Sequence, residues 1–580
     1  MTGSYNKYPS VPVKGWGKGA MKGYDTIMEK LRKTYEDSKR RDYWIVFDTY
    51  PGVWDEEVLE AVALLRPDRV ICMKEAFWPE EVLSEHLKYH LTDDRVFGRM
   101  YYGEIEDLMD LKALEKVKNR AKEAKGLTVV YGFGAALAAK ADILVYLDMA
   151  RWEIQLRYRS GMPNYNCSNT GEDPLIKYKR AFFIEWRIAD KYKMRIFDQV
   201  DYFLDTNRKG EPVMAPGDGV RTGLRQLTLQ PFRTVPYFDP GVWGGQWMKE
   251  VCGLSQDKPN YAWSFDGVPE ENSLLLDFGN GILEIPAMDL VLYQPKELLG
   301  EQVFARFGAE FPIRFDLLDT MGGQNLSLQV HPLTEFIHRQ FGMTYTQDES
   351  YYILDAGENA CVYLGLTDQA EPASMFEDLE KAHRGEGSFD AEKYVNKFPA
   401  KKHDHFLIPA GTCHCSGANA MVLEISATPY IFTFKLWDWD RVGLDGRPRP
   451  VHLNHGKQVI QWDRRTQWVK ENLVNAVYTV EENEDYTEEH TGLHSLEFIE
   501  TRRYWITNEA VITPGDTVNM LNLAEGKEAV VESPSGAFEP FTVHYAETFI
   551  VPAKAGAYRI RPIRNEKIGV IRAYVRQGKP

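Results

Sequence analysis

The run LSLQVHP (326–332) sets a glutamine and a histidine, Gln329 and His331, on alternate positions. In an extended strand alternate side chains face the same side, so both can point into one interior. Further on, DESYYILDA (348–356) is a strongly β-type run with Glu349 at its head, and IPAGTCHCSG (408–417) passes through a Pro-Ala-Gly turn into a strand carrying His414. Cys413 and Cys415 flank that histidine and by the same alternation face the opposite side, which excludes both as ligands. Gln329, His331, Glu349 and His414 form a mixed nitrogen and oxygen shell for one Zn²⁺ or a neighbouring divalent ion, with no thiolate and with room for substrate oxygens. Any one of them alone reads as a hydrogen-bonded core residue. Together on β runs they do not, because each polar group would cost roughly 1–3 kcal/mol if buried without a partner.

Such a shell needs strands to hold it. From about 225 onward the chain shows short β-type runs broken by Gly, Pro, Asn and Asp, with helical periods only near 333–342 and 371–384, which predicts a β barrel or sandwich. The charged stretch VEENEDYTEEHTG (480–492) precedes a last block of β runs, WITNEAVI, EAVVES, ETFIVPA and IGVIRAYV. From about 40 to 205 the texture differs. Apolar runs YWIVFDTY (43–50), RVICM (69–73), LTVVYG (127–132) and DILVYLD (142–148) alternate with amphipathic segments such as DLKALEKVKNRAKEAK, the pattern of parallel strands joined by crossover helices. The fold class expected is multidomain: an N-terminal α/β domain over 1–205, a metal-binding β domain over 206–465 and a second β domain over 466–580.

Composition narrows the function classes. The 580 residues are 44% hydrophobic, enough for several cores, and 85 acidic against 69 basic side chains leave a net charge of −16 that disfavours nucleic acid as a partner. No apolar run of about 18 residues could cross a bilayer, and MTGSYNKYPSVPVKG has no apolar core of a secretory signal, so a cytoplasmic location without a membrane partner is expected. The cysteines form no CxxC pair and no disulfide framework. A homo-oligomer is compatible with this composition.

In the α/β region a phosphate loop would be the natural expectation. KGWGKGAMKG (14–23) lacks the GxxxxGK[ST] spacing and follows no strand, while YGFGAAL (131–137) follows a strand but offers only two glycines and no suitably placed lysine. The stretch from YGFGAAL into DILVYLDMARWEIQLRYRSG faintly resembles the later half of uridine-kinase-like P-loop folds, which implies a degenerate P-loop-like domain with an assembly or regulatory role. The plainer reading of Asp148, Arg151, Arg157 and Arg159 is a solvated helix face with ion pairs.

Over roughly 237–445 the sequence resembles the type I phosphomannose isomerases, metal-dependent cupin enzymes that interconvert mannose 6-phosphate and fructose 6-phosphate. The motifs that carry the likeness are PYFDPGVWGGQWMKE, FPIRFDLLDTMGGQNLSLQVHP, ESYYILDA, CVYLGLT, DHFLIPAGTCHCSGANAMVLEIS and FKLWDWDR, in that order. The resemblance implies that Gln329, His331, Glu349 and His414 hold zinc, that the fold around them is a cupin-type jelly roll, and that Glu424 lies near the active centre. Two positions depart from the family pattern. Lys435 stands where the family has a substrate-holding Arg, with Arg441 nearby, and charge is kept while the bidentate fork is lost. Asp316 stands at or beside a family Lys. The final block carries VPAKAGA (551–557), an echo of IPAGTCH with Ala557 in the place of His414, which implies a metal-free second cupin-type jelly roll. His403 and His405 are expected at a loop or on the surface.

These readings converge on an aldose–ketose isomerase acting on a sugar phosphate through an enediol, with Glu424 handling the proton and Lys435, with Arg441, holding or neutralising the substrate. The alternatives are a cupin isomerase or epimerase for a different sugar or sugar phosphate, and a non-catalytic sugar-sensing protein.

Overall fold

The structure is a computed structural model that describes residues 4–427, 432–444, 446, 449–492, 494–564 and 566–577. Two units account for the chain: one comprises residues 10–226 and 273–293, the other residues 1–9, 227–272 and 294–580. The α/β unit therefore runs past the boundary expected at 205 and takes in a segment from the middle of the sequence.

In the α/β unit the continuous apolar runs become strands, the inner ones buried on both faces as a parallel sheet covered by helices requires, and the edge strand exposed at Arg69 and Val70. Tyr43–Thr49 is central, flanked by parallel partners Leu127–Gly132 and Ile143–Asp148, with Arg69–Cys72 outside the first and Tyr202–Asp205 outside the second. Val213–Pro216 and Met21–Lys22 continue that side antiparallel. The crossover helix Leu111–Glu123 starts where Asp110 accepts the Lys112 amide, and it buries Leu114, Val117 and Ala121, spaced at helical intervals. The segment 273–293 supplies the hairpin Ser273–Asp277 and Ile282–Pro286, which pairs in parallel with Ser10–Pro12, and the short helix Met288–Tyr293.

The other unit holds two sandwiches of antiparallel strands. The first sets a sheet ordered His405–Ile408, Glu349–Ala356, Ala420–Ser426, Arg314–Asp319, Trp263–Gly267 and Tyr237–Asp239 against one ordered Val395–Pro399, Cys361–Leu366, His414–Ser416, Leu328–Val330 and Phe434–Trp437. The helices expected near 333–342 and 371–384 are present as Thr334–Phe341 and Pro372–His383. The second sandwich has sheets of six and four strands. Its interior is apolar, with Leu521, Val531, Phe549, Ile560 and Val570 among the buried residues, so this barrel is filled by hydrocarbon at the place where the first carries imidazoles. Among the described residues no helix is long and apolar enough to cross a membrane.

Two expectations about charged residues need correction. Asp148, Arg151 and Arg157 are not a solvated face: they are 1%, 2% and 3% exposed. Arg157 donates to the carbonyls of Gly52, Thr206 and Asn207, Arg151 pairs with Asp190, and Lys193 donates to both Asp148 oxygens at 2.9 and 3.0 Å and also to Asp289. The second correction is His405, which is fully buried because its Nδ1 donates 2.9 Å to the Thr491 carbonyl of the second sandwich. His403 stays partly exposed in the adjoining turn and meets Tyr352 and Glu525.

Candidate metal centre

The strand Leu328–Val330 pairs with His414–Ser416 through Gln329 and His414, and with Phe434–Trp437 through Gln329 and Lys435. Cross-strand partners share a face, so this sheet turns Gln329, His414 and Lys435 to the same side, and His331 follows two residues after Gln329. The facing sheet contributes Glu349 from the first position of its strand. The two sheets thus deliver His331, Glu349 and His414 to one point, where one ligand atom from each lies within 4.8 Å of the others. All four expected ligands meet here: Gln329 Nε2 is 3.2 Å from His414 Nε2, and an amide turned over would offer its oxygen in the same place. Cys415 pairs with Tyr363 on the neighbouring strand and alternates away from His414, as strand geometry demands.

The hydrogen bonds of the rings define what the site can accept. His331 Nδ1 lies 2.8 Å from the Phe432 carbonyl and His414 Nδ1 lies 2.8 Å from the Thr412 carbonyl. A carbonyl only accepts, so each Nδ1 carries a proton, and in the neutral ring Nε2 carries a lone pair. Those Nε2 atoms face the carboxylate, His331 at 3.0 Å from Glu349 Oε2 and His414 at 2.8 Å from Oε1. His331 Nε2 and Glu349 Oε1 are buried without a hydrogen-bond partner. Lone pairs converging on a dry point, each ring oriented from behind by a backbone carbonyl, are the arrangement of a metal-ligand set, and a divalent cation answers them together. Burial alone would raise the Glu349 carboxyl, but when the two imidazoles are protonated in place of a bound cation they hold it well below the ordinary carboxylate range.

Around this set stand groups that the sequence spacing did not single out. Gln347 donates 2.8 Å to Glu349 Oε2 and accepts from the Phe432 amide, so it fixes the carboxylate from the side opposite the rings. Its position two residues before Glu349, just ahead of the strand, was the available signal. Glu424 lies on the strand next to that of Glu349, in register with Tyr351 on one side and Asp316 on the other. Burial, with Glu349 and Asp316 nearby, pushes the Glu424 carboxyl well up, so that once it has lost its proton its carboxylate is a stronger base than a free one. Asp316 is buried beside Arg314, whose guanidinium donates at 3.1 Å, and burial still leaves the Asp316 carboxyl raised to about 6. Lys435 is half-buried opposite Gln329. Arg441 is placed elsewhere: it donates 2.9 Å to Asp438 and lines a cavity of about 420 Å³ with Arg449 and Trp437, and none of the four ligands lines that cavity.

Chemically, the first sandwich offers a two-histidine, one-carboxylate set with an amide beside it, one carboxyl poised near it and one ammonium across the strand. The second sandwich contributes no ligand to this set.

Comparison with known proteins gives two separate likenesses. Residues 23–229 match a family model described as Domain of unknown function (DUF8485). The chain is also 26% identical over 238 residues to the Mannose-6-phosphate isomerase ManA of Bacillus subtilis (strain 168), a stretch that covers 40% of this chain and 69% of that protein. It is 25% identical over 221 residues to the Mannose-6-phosphate isomerase of Streptococcus mutans serotype c, covering 38% of this chain and 64% of the relative. Among solved structures, the mannose 6-phosphate isomerase from Bacillus subtilis aligns at 17% identity with a TM-score of 0.48, over 60% of this chain and 99% of the other.

Proposed function

We propose that this chain is a metal-dependent aldose–ketose isomerase that interconverts mannose 6-phosphate and fructose 6-phosphate through an enediol, with zinc as its resident metal and the first sandwich a cupin-type jelly roll. The observation that carries the reading is the convergence of His331, Glu349 and His414 with their lone pairs turned inward, in a chain about a quarter identical to mannose-6-phosphate isomerases over some two fifths of its length. Moving a proton between C1 and C2 needs a polarised carbonyl, a group that takes and returns the proton, and a countercharge for the oxyanion. A bound divalent cation, held by Gln329, His331, Glu349 and His414, supplies the polarisation. Glu424 takes the proton from one carbon and returns it to the other, shielded from water by its burial. Lys435, across the strand from Gln329, balances negative charge on the substrate. Gln347 and the Phe432 and Thr412 carbonyls keep the ligand atoms aimed, so that little reorganisation is needed when substrate arrives.

A coupled assay of fructose 6-phosphate formation from mannose 6-phosphate, on protein of measured metal content beside a His331→Ala variant, tests this. Turnover that follows metal content and vanishes in the variant is the expected result. Metal retained without turnover would sink this choice of substrate and favour the second reading, an isomerase for a different sugar. The Arg314–Asp316 pair supports that alternative, because it places a buried carboxyl on the strand beside that of Glu424 and engages the Arg314 guanidinium.

A further inference from the structure

The unit with the two sandwiches holds a cavity of about 580 Å³ at which residues 344–346 and Asp348 of the first sandwich, residues 495–498 of the second, and Arg306 and Arg576 all meet. None of the four metal ligands lines it. Its walls carry the carboxyl groups of Asp348 and Glu497 and the guanidiniums of Arg306 and Arg576. Glu497 is only 9% exposed, and its Oε1 is buried without a hydrogen-bond partner, so the carboxyl has bonding capacity that the protein leaves unused at the cavity wall. Half-buried Phe307 and Phe498, their centroids 4.8 Å apart, add an apolar face, with the Arg306 guanidinium 5.0 and 4.9 Å from the two rings.

We infer that this cavity is a second small-molecule site, separate from the metal centre, for a neutral polyhydroxylated ligand such as an unphosphorylated sugar or polyol. The chemistry selects that class. A ligand that only accepts hydrogen bonds answers the arginines alone, and one that only donates answers the carboxyls alone. A hydroxyl donates and accepts at once, so one ligand can give a hydrogen bond to the Glu497 carboxyl and accept from a guanidinium, while its C–H face lies on the phenylalanines. The volume falls in the range of small-molecule pockets. The site also borders the metal centre through the chain: Asp348 lines the cavity, Glu349 follows it with its side chain on the opposite face, and Gln347, just before, braces Glu349. Occupancy would thus press on the segment that aims a metal ligand.

The inference does not depend on which reaction the metal centre runs, and the experiment keeps the two apart. Binding of D-mannose and of D-mannitol would be measured by calorimetry on the full chain, metal-loaded, chelator-stripped, and as His331→Ala. Expected is binding on the order of millimolar that survives both metal removal and His331→Ala, and that weakens at least about ten-fold in Glu497→Ala and in Arg576→Ala, whose metal content stays unchanged. Loss of binding on metal removal, or binding untouched by both cavity variants, would assign the sugar to the metal centre and overturn the inference. Absence of binding in the stripped protein would overturn it as well. Displacement of mannose by inorganic phosphate from the stripped protein would overturn the neutral class.

Discussion

Both the α/β sheet and the first sandwich bury charge, and they answer it differently. At the ends of the parallel strands, where α/β sheets commonly receive ligands, Asp48 accepts the amides of Gly134 and Ala136 at 3.0 and 2.8 Å together with the Tyr192 hydroxyl, and Lys193 satisfies Asp148. Gly132 and Gly134 have φ of +121° and +80°, the turn that could have presented bare amides to an anion, and the protein's own carboxylate occupies it. In the first sandwich, by contrast, His331 Nε2 and Glu349 Oε1 are left unanswered and aimed at one point. Buried charge marks a ligand site only where the polar atoms converge and stay unsatisfied. Where they partner one another, they mark architecture.

The sharpest way to break that contrast is Glu349→Gln. Losing the one charged ligand should strip metal to background by elemental analysis and lower turnover about 1,000-fold or more, with the fold intact by circular dichroism. Retained metal would mean that the convergence is not a ligand set. The matching change in the other region is Lys193→Met. Removing the cation leaves Asp148 and Asp289 buried without their countercharge, which should cost about 3–5 kcal/mol and appear as an early unfolding transition, while metal content is unchanged.

A third test sharpens the comparison inside the β unit, where His405 is buried and partnered through its Nδ1 alone. Burial lowers its pKa from 6.5 to about 3, so between those values the unfolded chain binds a proton that the folded chain does not. Stability is therefore complete above about 6.5 and lost as pH falls toward 3, at up to roughly 1.4 kcal/mol per pH unit. Acid titration of His405→Leu should lack that slope. An unchanged slope would assign it to other groups. The smallest effects separate Lys435 from Arg441. Lys435→Ala should lower kcat/KM about ten-fold, whereas Arg441→Ala, whose partner is Asp438, should change kcat/KM less than about three-fold. The reverse order would move the substrate toward the Arg441 cavity.

Much of this was legible along the chain, for physical reasons. The runs at 43–50, 69–73, 127–132 and 142–148 became strands within a residue or two: the three inner ones are buried on both faces and so must be largely apolar, and only the edge strand Arg69–Cys72 is exposed at Arg69 and Val70. Gln329, His331, Glu349 and His414 could be named because strand alternation is local. Long-range pairing was not legible. Nothing near Lys193 announces Asp289, 96 positions away, and a histidine in KKHDHF reads as surface until Thr491 closes over it. The Arg314–Asp316 pair was visible as two residues but not as a pair, since the sequence shows the lost lysine and not the neighbouring guanidinium.

The excursion of residues 273–293 bears on how the protein can be made and cut. The chain leaves the α/β unit after residue 226, begins the β unit, and returns to lay down a hairpin and the helix that carries Asp289 before departing again. During synthesis the first unit cannot close its core until that hairpin has cleared the ribosome, by which time the opening strands of the next unit are already exposed. A gene fragment ending near 205 or 226 would leave Lys193 without one of its carboxylates and Ser10–Pro12 without its strand partner. Fragments of this chain are best cut so that the discontinuous segment travels with the sheet it completes.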